Sequence, residues 1–360
     1  MLSMHKESMS IKNENPDFEE FKGKGLTGLA NLGNTCFMNS ALACLSHTYE
    51  LNKFLEKEDY KKNLNNKPES LILCEWDNLR KLIWSENCTI SPGGFVGAIQ
   101  KVARIKDRVI FTGFAQNDLT EFLQFVAECF HNSICREVEM TIQGSALTDT
   151  DKLAKTCYNM MRKMYKKEYS EFLNLFFGIH VSKINSLESE YSNITPEPFF
   201  NLTVPLAEEG TLEKSIELYT KIEQLDGDNC IYNEKTDKKE RAEKQIAFWS
   251  LPEVLVITLK RFGNNGRKDQ RAIDFPLENL DFTNYIVGYD KNSYKYDLYG
   301  ICNHMGNINR GHYTCYVKKS NIWIDINDEN ICRIEEKNLV TPMSYCLFYR
   351  KKKTNDNINV

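Results

Sequence analysis

The hydrophobic period changes once along this chain, near residue 177, and that change limits the folds open to it. Upstream, apolar side chains recur at helical spacing. Phe37, Met38, Ala41, Leu42 and Leu45 predict a helix over 36–55, and Leu71, Ile72, Trp76, Leu79, Leu82 and Ile83 one over 69–85. A Ser-Pro opening predicts a helix over 91–103. "NDLTEFLQFVAECFHNSI" predicts a long amphipathic helix over 117–134, and a run from Met160 to Leu173 predicts another within 151–176. Downstream the texture is "PFFNLTVPL", "VLVITLKRF", "YDLYGICNH", "HYTCYVKK", "NIWIDI" and "CLFYRKK", short β-branched or aromatic runs bounded by Gly, Asn and Asp. Helices first and strands second imply an α+β fold of two packed lobes, not alternating βαβ units. Residues 1–22 are polar and aperiodic and predict a disordered lead; 353–360 predict a flexible tail.

Composition excludes several function classes. Over 360 residues the net charge is −4, and no Lys/Arg stripe interleaved with aromatics occurs, so no nucleic-acid binding is expected. No run approaches 18 apolar residues, so no membrane insertion is expected. The first 25 residues lack the apolar core of a signal peptide. An intracellular protein of the cytoplasm or nucleus is the expectation, with its twelve cysteines as thiols. "GKGLTG" matches a dinucleotide-binding spacing, but it follows a charged segment instead of a strand, so it reads as a turn.

One cysteine differs in its setting. In "NLGNTCFMNSALACLSH" (31–47), Asn34 and Thr35 are favoured helix N-cap types, which places Cys36 in the first helical turn. Unpaired N–H groups and the positive dipole end favour a thiolate there, the form that acts as a nucleophile. The alternative is a small buried residue, as Cys44 reads within the same apolar pattern. A thiolate nucleophile needs a base. His312 follows Gly311, whose bare backbone permits close approach of another chain, and it lies on a strand. His304 on the preceding strand is a structural or hydrogen-bonding alternative. Asn327 and Asp328 close "NIWIDIND", and either could orient an imidazole. Cysteine early, histidine and asparagine late, is the papain-like order.

These segments resemble one family. "GLANLGNTCFMNSALACL" (28–45) is similar to the cysteine box of the ubiquitin-specific proteases, and "YDLYGICNHMGNINRGHYTCYV" followed by "NIWIDINDENI" to their histidine box. "QNDLTEFL" (116–123), "LPEVLVITLKRF" (251–262) and "SYCLFYRKK" (344–352) match further elements in order, so the resemblance spans 26–352. It implies a papain-like cysteine protease domain over 23–352, with a helical thumb at about 26–175 and β-rich fingers and palm at about 176–352. It implies hydrolysis after the C-terminal glycine of ubiquitin, with ubiquitin and ubiquitinated proteins as partners. In that reading Cys36 is the nucleophile, His312 the general base, and Asn327 its orienting partner. Asp328 assists or partly replaces Asn327, and Asn31 donates its amide to the oxyanion. Gln116, Asp118 and Glu121 face the arginine-containing tail of ubiquitin, and Gly311 walls a slot for its two terminal glycines. Two departures are mild: Asn117 stands for a glutamine and Phe37 for a tyrosine. A larger one concerns metal. Family members often hold a zinc in the fingers with two Cys-x-x-Cys pairs; here the first falls on Ser186 and Ser189, the second on Cys230 and Asn233. One thiol cannot make a structural zinc site, so no cofactor and no metal are expected. The competing readings are a ubiquitin-binding module without catalysis and a protease for another ubiquitin-like modifier.

Overall fold

Helical and extended backbone separate along the chain as the change of period requires. The computed structural model describes residues 2–6, 21, 23–263, 265–308 and 310–353. The thumb holds α1 (Cys36–Ser46), α2 (Tyr49–Glu56), α3 (Ser70–Ile83), α4 (Gly93–Ile105), α5 (Leu119–Ile134), α6 (Asp149–Tyr165) and α7 (Phe172–Phe176). The helix expected over 36–55 is two helices. Near the end of α1 the Ser46 and Thr48 hydroxyls donate to the carbonyls of Ala43 and Cys44 (2.8 and 3.2 Å), and His47 Nδ1 meets the Ala43 carbonyl at 2.9 Å. The same two carbonyls also accept the His47 N–H, so side-chain donors compete with the backbone in the last turn and the helix stops. The expected 151–176 helix also divides, because the Tyr169 backbone exchanges two hydrogen bonds of 2.9 Å with Arg136.

Short strands lie among the helices: β1 (Ser3–Lys6), β2 (Gly28–Leu29), β3 (Thr89–Ile90) and β4 (Met140–Gln143). β1 pairs antiparallel with β4, Ser3 opposite Gln143, so part of the expected disordered lead is a strand. Residues 7–20 and 354–360, the rest of the lead and most of the expected flexible tail, lie outside the described residues. A sheet partner contributed by residue 140 onward cannot be read from the local sequence of residues 3–6.

The fingers are a four-stranded sheet in the order β6-β5-β11-β8, from β5 (Gly178–Ser186), β6 (Ser192–Phe199), β8 (Glu223–Leu225) and β11 (Ala242–Ser250). A distal hairpin of β9 (Ile231–Asn233) and β10 (Lys238–Glu240) meets the β5–β6 turn. Of the expected Cys230 and Asn233, Asn233 donates to Ser189 Oγ at 3.2 Å, and it shares the Glu240 carboxylate with Thr236, not with Cys230. Cys230 precedes β9 and stays outside the contact, so the thiol misled the reading of the spacing. Helix α8 (Leu212–Thr220) packs on β11.

The palm sheet runs β17-β16-β15-β14-β18-β12-β7, with β13 (Leu280–Asp281) on β14. Its strands are β7 (Asn201–Val204), β12 (Val254–Leu259), β14 (Lys295–Gly306), β15 (Gly311–Lys319), β16 (Ile322–Asn327), β17 (Asn330–Ile334) and β18 (Ser344–Lys351). β12 is buried along its whole length, which accounts for its run "VLVITL", apolar except for Thr258, whose hydroxyl donates to Asn201 Oδ1 at 2.9 Å. Only β12 and β7 pair in parallel among these strands. Packing of α1 on β14 and β15 joins thumb to palm, and Arg350 is among the side chains that cross the seam. Arg350 on β18 donates to the His47 carbonyl (3.0 Å) and to Glu50 of α2, between the rings of Tyr299 and Tyr49.

Arg350→Ala is expected to destabilise the protein by about 3 kcal/mol, because it strands the Glu50 carboxylate at the seam. Arg350→Met combined with Glu50→Met removes both charges and is expected to cost less. Urea unfolding of the two variants checks this; equal losses would place the stabilisation in packing and not in the ion pair.

Candidate active site

Cys36 is the first residue of α1 and is 3 % exposed. Thr35 occupies the N-cap position but makes no side-chain cap. Its hydroxyl accepts from the Leu32 N–H (2.9 Å) and lies 3.3 Å from Asn31 Oδ1, pointing away from the helix. The first-turn N–H groups are therefore left for the thiol, and those of Phe37 and Cys36 stabilise its charged form. They do not prevail. Burial pushes the Cys36 thiol above its ordinary range; the Tyr313 N–H opposes this, and the negative charge of Asp328 adds to it. The thiolate expected from helix position alone is thus outweighed by desolvation, and the resting group is a thiol.

His312 lies at the start of β15, opposite Met305 of β14. Its Nε2 is 2.7 Å from Asn327 Oδ1 at the end of β16, which fixes that nitrogen as the protonated one. Nδ1 is left as the ring's acceptor. Asp328 faces elsewhere, and the expectation that it assists with the imidazole is corrected. It occupies the two-residue turn between β16 and β17 at φ +50°, a conformation that Asp tolerates. Its carboxylate accepts from Asn31 Nδ2 (2.9 Å) and from Asn39 Nδ2 (2.8 Å), while its carbonyl accepts from the Leu29 N–H (2.9 Å). β2 approaches this turn so closely that a Cβ on Gly28 would lie 2.5 Å from the Glu329 carbonyl oxygen. The glycine is required for close approach, not for turning.

Asn31 is oriented from both sides. Its Oδ1 accepts the N–H groups of Gly33 and Thr35, both at 3.1 Å, which only the oxygen end can do. The amide nitrogen then carries two hydrogens, one given to Asp328 and one left over. Asn39, in the second turn of α1 and 3 % exposed, was missed in the sequence. Its signal was available: a buried amide on a helix whose other inward residues are apolar or small.

Gln116 reaches across the cleft to Gly311, giving Nε2–H to its carbonyl (2.8 Å) and accepting its N–H at Oε1 (3.0 Å). Gly311 has no room for a side chain, since a Cβ would lie 2.3 Å from His304 Nε2. His304 is buried against Tyr313, Phe262 and Tyr345, and burial holds its imidazole at about 4, so it is neutral. Asp118 caps α5 through Oδ1, accepting from the N–H groups of Thr120 and Glu121, and its Oδ2 accepts from the Tyr345 hydroxyl at 2.7 Å. Glu121 is exposed on the first turn of α5. Cys36, Phe37, Gln116, Asp118, Phe262 and Tyr313 line a cleft of about 240 Å³ between thumb and palm.

A helical thumb bearing a cysteine, packed on a β palm that carries a histidine–asparagine pair, with β fingers beyond, is the papain-like α+β architecture. The chain belongs to the ubiquitin carboxyl-terminal hydrolase family, whose model matches residues 27–349. Ubiquitin carboxyl-terminal hydrolase 2 of Homo sapiens is 32% identical over 346 residues, covering 91% of this chain and 55% of that protein. Ubiquitin carboxyl-terminal hydrolase 21 of Rattus norvegicus is 30% identical over 358 residues, covering 91% and 62%. The chain spans about half the length of the curated relatives it matches. Among solved structures, the SAGA Ubp8/Sgf11/Sus1/Sgf73 module bound to ubiquitin aldehyde gives a TM-score of 0.70 at 26% identity, over 96% of this chain and 73% of that one. The module bound to monoubiquitin gives 0.70 at 25%. No helix of the described residues is long and apolar enough to cross a membrane.

The raised thiol sets a pH profile. Alkylation of Cys36 by iodoacetamide, followed on its peptide by mass spectrometry, is expected to be slow at pH 7 and to climb beyond the ordinary thiol range. A fast rate already present at pH 6 would show instead that Cys36 and His312 rest as an ion pair.

Proposed function

We propose that the protein is a cysteine-type deubiquitinase, a ubiquitinyl hydrolase that cleaves the isopeptide or peptide bond after the C-terminal glycine of ubiquitin. The observation that carries this reading is the His312–Asn327 hydrogen bond of 2.7 Å, on the sheet packed against a cysteine at an uncapped helix start. The family membership and the ubiquitin-bound structures that this fold resembles support the choice of substrate.

The chemistry follows from the site. Nδ1 of His312 takes the proton of Cys36, and the thiolate attacks the carbonyl of the terminal glycine. The oxyanion that forms meets the spare N–H of Asn31, which Asp328 and the Gly33 and Thr35 N–H groups hold in place beforehand. His312 gives its proton to the departing lysine amine. It then activates the water that releases ubiquitin from the Cys36 acyl-enzyme. Gly311 is a wall that cannot carry a side chain of its own, because a Cβ there would run into His304 and the Met305 carbonyl, and the two terminal glycines of ubiquitin would pass beside its bare backbone. In the free protein Gln116 makes with Gly311 the two hydrogen bonds that an extended peptide would make, so a bound tail takes its place. Glu121, exposed on the first turn of α5, is an acidic group available to meet an arginine of that tail, beside Asp118, whose Oδ2 accepts from the Tyr345 hydroxyl.

Exposure to ubiquitin carrying a C-terminal thiol-reactive warhead tests the assignment. One adduct on the wild type and none on Cys36→Ala is expected; no adduct on either would leave a binding module without catalysis. Preferential labelling by a ubiquitin-like modifier bearing the same warhead would reassign the substrate.

For turnover, His312→Ala is expected to lose about 10²–10⁴-fold in kcat, the range for a general acid–base. His304→Ala is expected to keep measurable activity, because burial holds the His304 imidazole at about 4, too weak a base to stand in for His312. Asn31→Ala is expected to lose about 10²–10³-fold in kcat with KM little changed, as removal of an oxyanion donor does; a change confined to KM would remove it from that role.

A further inference from the structure

At the tip of the fingers, two turns from separate hairpins close on one carboxylate. Glu240, the last residue of β10, is 4 % exposed. Its Oε2 accepts the hydroxyls of Ser186 and Ser189, both at 2.6 Å. Its Oε1 accepts Asn233 Nδ2 at 2.9 Å and the Thr236 hydroxyl at 2.7 Å. Four donors for four acceptor sites is full satisfaction of an ionised carboxylate. Hydrogen bonds from Ser186, Ser189 and Thr236 hold its carboxyl down at about 2, so it is charged under ordinary conditions.

The donors come as two pairs of one spacing, Ser186-x-x-Ser189 and Asn233-x-x-Thr236. In each pair the backbone turns around the first side chain. The Ser186 hydroxyl accepts the N–H groups of Glu188 and Ser189 at 3.0 and 3.1 Å, and Asn233 Oδ1 accepts the Lys235 N–H at 3.0 Å. Each turn is thus wound on its own side chain and then tied to the same anion. Asn233 Nδ2 also reaches Ser189 Oγ at 3.2 Å, which joins the turns directly.

This is where the family resemblance places a zinc between two Cys-x-x-Cys knuckles, and the residues present do not fit that ion. Two serines, an asparagine and a threonine offer neither thiolate nor imidazole, and a structural zinc site is built from those. Among the described residues no three His, Cys, Asp or Glu side chains gather as a metal requires. The charge is reversed as well: a metal centre surrounds a cation with electron-pair donors, whereas here hydrogen donors surround an anion.

We propose that Glu240 is a metal-free anchor of the fingers, its carboxylate holding together the two turns that a zinc holds in zinc-bearing relatives. Charge-assisted hydrogen bonds are the stronger kind, and a buried carboxylate with all four acceptor sites filled locks both turns at once. Fingers built this way keep their geometry in the presence of chelators.

Elemental analysis and hydrogen exchange test the proposal on the full chain, independently of catalysis. The wild type is expected to hold no stoichiometric zinc and to show unchanged exchange at 186–191 and 233–240 in a chelator. Glu240→Ala is expected to speed exchange in both turns by about tenfold or more, as loss of hydrogen bonds to a charged group implies, with the palm strands unaffected. A variant combining Glu240→Ala with Ser186→Cys, Ser189→Cys, Asn233→Cys and Thr236→Cys is expected to bind one zinc per chain and recover protection. One zinc per wild-type chain, unchanged exchange in Glu240→Ala, or no zinc in the four-thiol variant would each overturn it. If Glu240→Ala fails to fold, the wild-type metal content and chelator response still decide.

Discussion

The site depends on how closely one short helix approaches one sheet. Every residue of α1 from Cys36 to Ser46 is buried, and small side chains at Ser40, Ala41, Ala43 and Cys44 let it sit deep. The sheet yields from its side through Gly300, where a Cβ would lie 3.0 Å from Cys44 Sγ and 3.2 Å from Phe348 Cβ. Cys44 and Cys302 consequently touch, sulfur to sulfur, at 3.5 Å. Close-packed interiors leave little tolerance at such a contact. That contact brings the start of the helix, and with it Cys36, against the backbone of Tyr313 beside His312.

Burial has an electrostatic consequence that shapes the chemistry. The seam that positions Cys36 also desolvates it, and the carboxylate that orients Asn31 stands close enough to disfavour a thiolate. Asp328 therefore has two effects: its carboxylate holds the Asn31 amide, and its charge adds to the burial that disfavours a thiolate at Cys36. In the proposed reaction the Cys36 proton leaves through His312, whose far nitrogen is already committed to Asn327. Adjacent residues on one turn thus serve different partners, Asn327 the imidazole and Asp328 the amides of Asn31 and Asn39. In the fingers a carboxylate again organises what surrounds it, since Ser186, Ser189, Asn233 and Thr236 all donate to Glu240.

Much of this was legible beforehand. The change of period near residue 177 separated thumb from β lobes, and α3, α4 and α5 fall within a few residues of their expected spans. Cys36, His312 and Asn327 stood out because a helix start, a Gly-His strand opening and a strand-end amide are local patterns. Asp328 was misassigned because its partners, Asn31 and Asn39, lie nearly 300 residues away. Asn39 was overlooked because a single amide in a helical run carries no label for what it will meet. β1 was taken for disorder because its partner strand is some 135 residues distant. At the fingertip the residues that converge are Asn233 and Thr236, which share Glu240, while Cys230 precedes β9.

The sequence by itself determined the segregation of helix from strand, the types of residue able to do thiol chemistry, and the absence of enough thiols for a zinc knuckle. Those are properties of neighbours along the chain, where periodicity and side-chain chemistry act within a few residues. Only the tertiary structure decided that burial outweighs the helix end at Cys36, that Asp328 serves Asn31 and not His312, and that Gln116 spans the cleft to Gly311. It also gathered four dispersed polar side chains around Glu240. Desolvation and hydrogen-bond partnership depend on which distant segments arrive at one point, and packing, not local sequence, chooses those arrivals.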